Sequence, residues 1–327
     1  MNSTIGWGII GPGHIAAKFA GDLALVPGAE LRAVASRDLQ KARTFQAQYG
    51  ALKAYGSYAE LFADPAVEVV YIASPHNLHH AHTLEALEAG KHVLCEKPMG
   101  INSGEVKSMH ALAENKGLFL MEALWSRFNP VIREVCDFVR DGGLGALAYL
   151  KADFAFPALD RDPGGRLLNP ELAGGSLLDI GIYPVFLAYV LLGVPGEVRV
   201  LAHFHETGVE KQIGILLGYP GAMALLYSGF TSRSEMRAEI SGEAGNIYLS
   251  PRWHQAESYQ LDLGGEVRTI RHPFQGAGYT YEIEEVHRCL AAGYTQSPLW
   301  SRADSAALHS ILDQIRDRAG IVFPGAS

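Results

Sequence analysis

Residues 5–19 read IGWGIIGPGHIAAKF, and this stretch decides the fold. A short apolar run over residues 7–10 ends in Gly11-Pro12-Gly13-His14-Ile15-Ala16, which is a G-x-G-x-x-A pattern. Apolar residues then recur at helical spacing until Pro27-Gly28 ends the helix. A strand, a glycine turn and a helix in this order predict the first unit of a Rossmann-type dinucleotide-binding domain.

The small residues of this turn each have a physical function. Gly11 permits the tight turn, Gly13 lets a pyrophosphate approach the backbone, and Ala16 lets helix and strand pack closely. The N–H groups and the positive dipole end at the helix start favour phosphate. We therefore expect Gly11, Gly13, His14 and Ile15 to bind the cofactor. The alternative is a glycine turn in an ordinary α/β domain.

Length and composition restrict the class of protein. The chain has 327 residues, of which 48% are hydrophobic and 19% charged, so two well-packed domains are expected. The net charge of −8 gives no basic face for nucleic acid, and none is expected as a partner.

Membrane and export signals are not expected either. We find no apolar run long enough to span a bilayer and no charged-then-apolar leader at the N-terminus. The three cysteines, Cys95, Cys136 and Cys289, are widely spaced and odd in number. They indicate reduced thiols, and we expect a cytoplasmic protein with no membrane partner.

The end of the second strand bears on which nicotinamide cofactor binds. NAD-binding folds place an acidic residue about 20 positions beyond the glycines, on the ribose 2′-OH. Here the second apolar run ends in Ser36-Arg37-Asp38 instead. A hydroxyl beside a guanidinium suits a 2′-phosphate, so Ser36 and Arg37 predict NADP, with NAD bound more weakly. The alternative is that Arg37 is merely solvated, while Asp38 caps the next helix.

Two further loops follow apolar strands and face the same edge of the predicted sheet. The run 67–73 ends in Ser74-Pro75-His76-Asn77, and the run 92–95 ends in Glu96-Lys97-Pro98. The carboxyl ends of parallel strands bind ligands, so we assign Ser74, His76, Asn77, Glu96 and Lys97 to the cofactor site. Lys97 is a candidate for chemistry; the alternative is a surface lysine paired with Glu96.

Four histidines, His76, His79, His80 and His82, invite a metal interpretation. No thiolate joins them, and adjacent residues on a helix point in different directions. Zinc needs three or four converging ligands, so we expect no metal.

The pattern changes after residue 122. A helix over about 130–140 is followed by period-two alternation in eight segments between residues 147 and 271, and a final helix spans about 302–319. This predicts an α+β domain, 123–327, with a mainly antiparallel open sheet, after a Rossmann domain at 1–122. An open sheet face is a natural surface for a homodimer.

One segment of the second domain, Gly174–Tyr183, interrupts the β pattern. Two glycines open a helix on which Asp179 and Tyr183 lie four residues apart, hence on one face. A carboxylate and a phenol placed this way can exchange protons with a bound hydroxyl. Pro184 follows and should distort the helix. The alternative is a helix-start carboxylate beside an interface tyrosine.

Together, Gly11-Pro12-Gly13, Glu96-Lys97-Pro98 and Gly174–Tyr183 resemble the Gfo/Idh/MocA oxidoreductase superfamily. Within it, VLCEKPMG at 93–100, GLFLMEALWSRF at 117–128 and GGSLLDIGIY at 174–183 are similar to the dimeric dihydrodiol dehydrogenases and NADP-dependent D-xylose dehydrogenases. The resemblance covers nearly the whole chain.

The resemblance implies roles for particular residues. The family's catalytic lysine corresponds to Lys97, its helix aspartate to Asp179 and its acid–base tyrosine to Tyr183. The last two would also contact substrate. Substrate contacts are further implied for these residues of the motif and of the following strand: Trp125, Arg127, Phe154 and Phe156. Residues 158–169 are individual to this chain and therefore leave the substrate open.

The expected reaction moves a hydride between the nicotinamide and a sugar or cyclic polyol, with an aldose such as D-xylose favoured. Tyr183 takes the hydroxyl proton, Lys97 stabilises the oxyanion, and Asp179 orients the substrate or keeps the lysine charged. On the same site the alternatives are a trans-dihydrodiol dehydrogenase and an anhydro-sugar or inositol-type reductase. A nucleotide-sugar dehydrogenase would need a pocket for a second diphosphate, and we find no second glycine-rich phosphate loop. From another class, the alternative is a non-catalytic NADP sensor.

Overall fold

The computed structural model describes residues 4–324, which form two compact units. The first unit comprises the described residues up to Gly100, with Gly104–Phe128 and Phe274–Ala306. The second comprises Ile101–Ser103, Asn129–Pro273 and the described residues from Ala307. The boundary expected from sequence at 122/123 stays a prediction, and the contacts group Phe274–Ala306 with the N-terminal residues.

Helices and strands alternate in the N-terminal part of the chain, and strands predominate after α7. In chain order, the described α-helices are α1 His14–Leu23, α2 Leu39–Tyr49, α3 Tyr58–Ala63, α4 His79–Glu88, α5 Ser103–Asn115, α6 Pro130–Arg140, α7 Ile182–Leu192, α8 Thr280–Ala291 and α9 Arg302–Ala319. The strands are β1 Ile5–Ile10, β2 Ala29–Ala35, β3 Lys53–Tyr55, β4 Val69–Ile72, β5 His92–Glu96, β6 Leu120–Ala123, β7 Leu147–Ala155, β8 Glu197–Phe204, β9 Glu210–Tyr219, β10 Ala222–Gly229, β11 Ala238–Gly242, β12 Gly245–Leu249, β13 Ser258–Leu263 and β14 Glu266–Arg271.

The first unit contains a parallel sheet in the order β3-β2-β1-β4-β5-β6. This is the order of a complete dinucleotide-binding sheet, and it confirms the Rossmann prediction. Every residue of β1 and β4 is buried, as expected for strands covered on both faces. The cap expected from Asp38 forms, since its Oδ1 accepts from the N–H of Gln40 at 2.9 Å. At the start of α3, Ser57 and Glu60 form a capping box.

The second unit contains an eight-stranded sheet in the order β14-β13-β12-β11-β7-β10-β9-β8. Its strands pair antiparallel except for β7 and β10, which run parallel. The mainly antiparallel prediction is therefore confirmed. Alternate residues of β7 are buried, among them Leu150, Ala152 and Phe154, because one face of the strand contacts α7.

The helix expected from Gly174 onward begins differently. Leu177–Gly181 is a π-helical turn, and α7 continues from Ile182. Pro184 has no N–H to donate to the carbonyl of Ile180, so a regular helical ladder is interrupted at this point. The predicted distortion is present, and it takes the form of a wider turn that carries Asp179.

The expectation that no stretch could span a bilayer needs correction. The helical stretch Pro170–Leu192 is long and apolar enough by length and composition, with a hydropathy of 1.8. However, 78% of its apolar 18-residue window is buried inside the protein, as in a core helix, so it is weak evidence for a membrane segment. Cys95, Cys136 and Cys289 are buried, and none of these three described cysteines forms a disulfide.

Candidate active site

The glycine turn of the first unit has the geometry of a phosphate cradle. Gly11 has a φ of +74°, and a Cβ there would lie 2.7 Å from the carbonyl oxygen of Ala73, so only glycine fits. A Cβ on Gly13 would meet only the Gly11 oxygen, at 3.8 Å. Among the described residues no side chain caps the start of α1, and Ala16 is fully buried. The open N–H groups at this helix start fit a dinucleotide pyrophosphate.

The end of β2 presents the groups predicted for the ribose. Ser36 is buried, and its Oγ accepts from the N–H of Asp38 at 3.2 Å, while Arg37 is exposed. Burial raises the pKa of Tyr58, and the Arg37 guanidinium opposes that shift. Burial lowers the pKa of His82, and Arg37 lowers it further. The Arg37 cation thus acts on the Tyr58 hydroxyl and the His82 imidazole.

In the histidine-rich stretch after β4, His79 makes hydrogen bonds to two neighbouring loops. The ring nitrogens of His79 lie 2.7 Å from the carbonyl oxygens of Pro98 and Ser74. Burial lowers the pKa of His79 to about 4, and the two carbonyls oppose the shift. His79 therefore joins the loop carrying His76 and Asn77 to the loop carrying Lys97.

The other histidines have separate partners. His80 Nε2 lies 2.7 Å from Ser108 Oγ, and His82 Nδ1 lies 2.9 Å from Ser74 Oγ. Within residues 4–324 no group of three or more His, Cys, Asp and Glu side chains is arranged to hold a metal ion.

Lys97 follows β5 directly and is half-buried. Its N–H donates to Glu96 Oε2 at 3.2 Å, and the hydroxyl of Tyr71 bonds to the other oxygen of Glu96. Burial is the main cause of the low pKa of His79, and the ammonium of Lys97 lowers that pKa further. The Lys97 cation therefore lies near the loop that carries His79. The side chain of Glu96 is buried. It therefore stabilises the turn after β5 and is not an exposed partner of Lys97.

A buried acid on α8 lies in the same electrostatic environment. Glu282 is fully buried, and its two carboxyl oxygens have no hydrogen-bond partner among the described residues. Burial, followed by the charges of Glu96 and Asp22, raises its pKa well above the usual range. The sequence analysis did not predict α8, which brings this acid into the first unit.

Trp125 and Arg127 lie on a 3₁₀ turn after β6. The Trp125 ring stacks on Tyr279, with centroids 5.1 Å apart and planes 10° apart. Arg127 Nε donates to the carbonyl of Leu299 at 2.8 Å, so this side chain is held against a loop. Tyr279 is an aromatic neighbour that the sequence analysis missed, because only the packing of residues 274–306 brings it to Trp125.

In the second unit, Asp179 is buried beside a cation. Arg166 Nη1 lies 2.6 Å from Asp179 Oδ1, in an ion pair whose side chains are 55% and 8% exposed, respectively. Asp179 and Tyr183 lie on the same continuous π-then-α segment. The segment therefore presents a carboxylate that is already charge-compensated.

Tyr183 belongs to an aromatic cluster with Phe154 and His254. The centroid of Phe154 is 5.5 Å from that of Tyr183 and 4.3 Å from that of His254, which stacks on it at 21°. The Tyr183 and His254 centroids are 5.4 Å apart. Phe156 contacts Phe154 at 6.4 Å. Of the predicted aromatic residues, Phe154 therefore lies against Tyr183 together with His254, whereas Phe156 reaches this cluster only through Phe154.

The two glycines before the helix are explained by what they pack against. Gly175 has a φ of +119°, and a Cβ there would lie 2.2 Å from Glu210 Oε2. Glu210 Oε1 accepts from the N–H of Leu177 at 2.5 Å, so the carboxyl group caps the π turn. Burial raises the pKa of Glu210 to about 8, and the backbone N–H groups of the turn oppose that shift. Glu210 thus positions the segment that carries Asp179 and Tyr183.

Three residues of this unit were missed from sequence: Arg166, Glu210 and His254. None belongs to a short motif, and each reaches the helix segment from a distant loop or strand. Glu210 did have a signal, since it is an acidic residue at the first position of a strand. An acidic residue at that position does not indicate which helix start its side chain caps.

Comparisons with known proteins agree with this geometry. Residues 5–124 match the family model described as an oxidoreductase family with an NAD-binding Rossmann fold, GFO_IDH_MocA. Residues 132–248 match the model of the GFO/IDH/MocA C-terminal domain.

Curated and solved proteins match over nearly the whole chain. Trans-1,2-dihydrobenzene-1,2-diol dehydrogenase of Mus musculus is 38% identical over 97% of this chain and 98% of its own. An aldose-aldose oxidoreductase from Caulobacter crescentus, solved with glycerol, has a TM-score of 0.87 at 28% identity and covers 97% and 98%. A 3-ketoreductase from Actinomadura kijaniata, solved with NADP and TDP-benzene, has a TM-score of 0.85 at 26% identity and covers 96% and 98%. The chain is therefore an oxidoreductase that belongs to the GFO/IDH/MocA family.

Proposed function

We propose that this protein is an NADP-dependent oxidoreductase that transfers a hydride between nicotinamide and a hydroxyl or carbonyl of a sugar or cyclic polyol, with an aldose such as D-xylose favoured. The observation that carries the proposal is the segment of the second unit on which Tyr183, a carboxylate and an aromatic wall occur together. The aldose-aldose oxidoreductase among the solved relatives supports the substrate class.

Each residue of the proposed site has a separate chemical role. When bound, NADP supplies the hydride acceptor. Tyr183 removes the proton of the reacting hydroxyl through its phenolic oxygen, and Phe154 supplies an apolar face for the ring carbons. Lys97 supplies the cation that stabilises negative charge on the substrate oxygen. Asp179 accepts a hydrogen bond from a neighbouring hydroxyl.

The preference for NADP rests on the end of β2. Ser36 and Arg37 stand where a carboxylate would bind the ribose of NAD. The solved 3-ketoreductase relative contains NADP, which supports the same cofactor here.

The reaction is tested with a substrate panel followed by NADPH absorbance: aldoses, inositols, trans-dihydrodiols, anhydro-sugars and a nucleotide sugar. With the best substrate, Tyr183→Phe should lower kcat by about 10²–10⁴-fold with NADPH affinity nearly unchanged. Tyr149→Phe, a half-buried tyrosine on β7, is the matched control. Lys97→Met should be at least as slow, with Lys107→Met on α5 as its control.

Three outcomes contradict parts of the proposal. Turnover of no panel member, with tight NADPH binding, would favour the non-catalytic NADP sensor. Wild-type kcat in Tyr183→Phe would remove the tyrosine from the proton transfer. Equal losses of NADP and NAD affinity in Arg37→Ala, beside an unaffected Arg43→Ala, would remove Arg37 from the 2′-phosphate site.

A second candidate is trans-dihydrodiol oxidation on the same site. The mouse relative is named for that activity, and the Phe154–Tyr183–His254 cluster provides stacking surface for an unsaturated ring. A kcat/KM for trans-dihydrobenzenediol above that for every aldose would favour this candidate.

We further propose that the protein is a homodimer formed through the second sheet, and that it is cytoplasmic. Several apolar side chains on β8–β10 are exposed, including Leu201 at 71% and Met223 at 55%. Strand pairing places Leu225 and Leu216 opposite each other, on the face that also carries Lys151 and Glu239. Apolar surface with charges of both signs suits a self-complementary interface.

Light scattering tests the dimer. The wild-type mass should be about twice the 35.4 kDa of one chain, and Leu225→Glu should reduce it to that of one chain. Leu52→Glu, at an exposed leucine of the first unit, is the control. A monomeric wild type would refute the dimer.

A further inference from the structure

The segment 158–173, which precedes the helix of Asp179, is well ordered by its own contacts. The N–H of Gly175 donates to the carbonyl of Leu167 at 2.9 Å, and the N–H of Gly174 donates to that of Asn169 at 3.0 Å. Leu168 is fully buried and anchors the segment. A Cβ on Gly174 would lie 2.8 Å from two of these carbonyl oxygens, so the segment packs directly on the glycine pair.

Arg166 projects from this segment to a buried carboxylate. Its Nη1 lies 2.6 Å from Asp179 Oδ1, while its side chain remains 55% exposed. An arginine in such a pair keeps the aspartate ionised, because a buried carboxylate without a cation favours its neutral form. The planar guanidinium also fixes the direction of the carboxylate, which a flexible lysine would do less well.

The pair combines donors and an acceptor beside an aromatic wall. Tyr183, one turn beyond Asp179 on the same segment, contacts Phe154 and His254. An aldose ring offers several hydroxyl groups that each donate and accept hydrogen bonds, while a dihydrodiol offers two on an apolar ring. A carboxylate held in a fixed direction can accept from two hydroxyl groups besides the reacting one. An aldose offers both, whereas a dihydrodiol has only one hydroxyl left, so the oriented Asp179 favours the aldose.

We propose that Arg166 is a positioning and specificity-determining residue, which holds Asp179 ionised and oriented so that the site prefers polyhydroxylated rings to aromatic diols. This inference rests on the proposed function for its substrates. The segment 158–173 is then the part of the chain that sets the substrate class.

Kinetics on two substrates test the preference. Arg166→Met should lower kcat/KM for the best aldose by about 10- to 100-fold, chiefly through KM, and for trans-dihydrobenzenediol by less than about 3-fold. Arg166→Lys keeps the charge and should recover part of the aldose loss. Arg161→Met, the same change at an exposed arginine of the same segment, should leave both substrates unaffected. Equal losses on both substrates, or none, would overturn the specificity role.

Thermal unfolding tests the ion pair without any substrate. Arg166→Met should lower Tm by about 2–6 °C relative to Arg161→Met, because it leaves a buried carboxylate without this cation. Asp179→Asn added to Arg166→Met should restore part of that loss. Additive losses in the double variant would overturn the pairing. If the wild type turns over neither substrate class, the proposed function fails and the specificity role falls with it, while these melting temperatures still decide the pairing.

Discussion

Replacing Gly175 by alanine should disrupt the start of the segment that carries Asp179 and Tyr183. Gly175 has a φ of +119°, where an L side chain is strained. The added Cβ would also lie 2.2 Å from Glu210 Oε2 and 2.6 Å from Oε1. Glu210 cannot swing away without cost, because it is buried and caps the N–H of Leu177 at 2.5 Å.

The expected cost has two parts. The backbone conformation costs about 1–3 kcal/mol for a residue other than glycine. The overlap with Glu210 adds about 1–3 kcal/mol if the neighbours shift, and a similar amount if Glu210 gives up its buried hydrogen bond. The free energy of unfolding of the second unit should therefore fall by about 2–6 kcal/mol, which lowers its Tm by about 4–20 °C.

Gly193→Ala separates the two parts. Gly193 ends α7, the same helix, at a φ of +81° and a ψ of −153°, but a Cβ there meets nothing within 4 Å. Its cost comes from the backbone alone, so a clearly larger loss in Gly175→Ala than in Gly193→Ala indicates the added steric part. Denaturant unfolding gives the free energies, and hydrogen exchange over residues 174–192 locates the change.

The activity of the folded Gly175→Ala protein gives a second measurement. Because the overlap displaces the segment that carries Tyr183, kcat should fall while NADPH affinity is kept. The reasoning is refuted if Gly175→Ala is no less stable than Gly193→Ala and keeps full kcat.

Three further predictions follow from single contacts. In the folded protein Glu210 has a pKa of about 8, whereas a glutamate in the unfolded chain has a pKa near ~4.3. Between these two pH values only the folded state holds the proton, so the stability of the wild type should fall as pH rises. Glu210→Gln should flatten this slope in a plot of Tm against pH. Gly11→Ala, whose Cβ would lie 2.7 Å from the Ala73 carbonyl oxygen, should raise the Kd for NADPH at least about 10-fold, by fluorescence titration. Asp38→Ala removes the cap of α2 and should cost about 1 kcal/mol in denaturant unfolding with kcat unchanged.

Each of these has a contradicting result. An unchanged pH slope in Glu210→Gln would mean that another group carries the dependence. Normal NADPH affinity in Gly11→Ala would separate the glycine turn from the phosphates. A selective loss of NAD affinity in Asp38→Ala would place that carboxylate on the cofactor ribose and not only at the helix cap.

The first unit was largely predictable because its signals are local. A glycine pair between a strand and a helix, the apolar β4 and the box formed by Ser57 and Glu60 each act within a few residues. The helix α8 was missed because its flanks lack a capping side chain, and its packing partners lie in the N-terminal half. The expectation that no apolar run could span a bilayer was wrong, since Pro170–Leu192 is long and apolar enough, and only the structure shows that most of its apolar window is buried inside the protein.

By itself, the sequence determined the Rossmann class of the first domain, the alternation of the second sheet and the positions of Lys97, Asp179 and Tyr183 within their motifs. Only the tertiary structure decided what surrounds them: Arg166 on Asp179, Glu210 under Gly175 and His254 against Phe154. The reason is physical. Local patterns follow from neighbours along the chain, whereas a carboxylate or a ring selects its partner through packing between segments far apart in sequence.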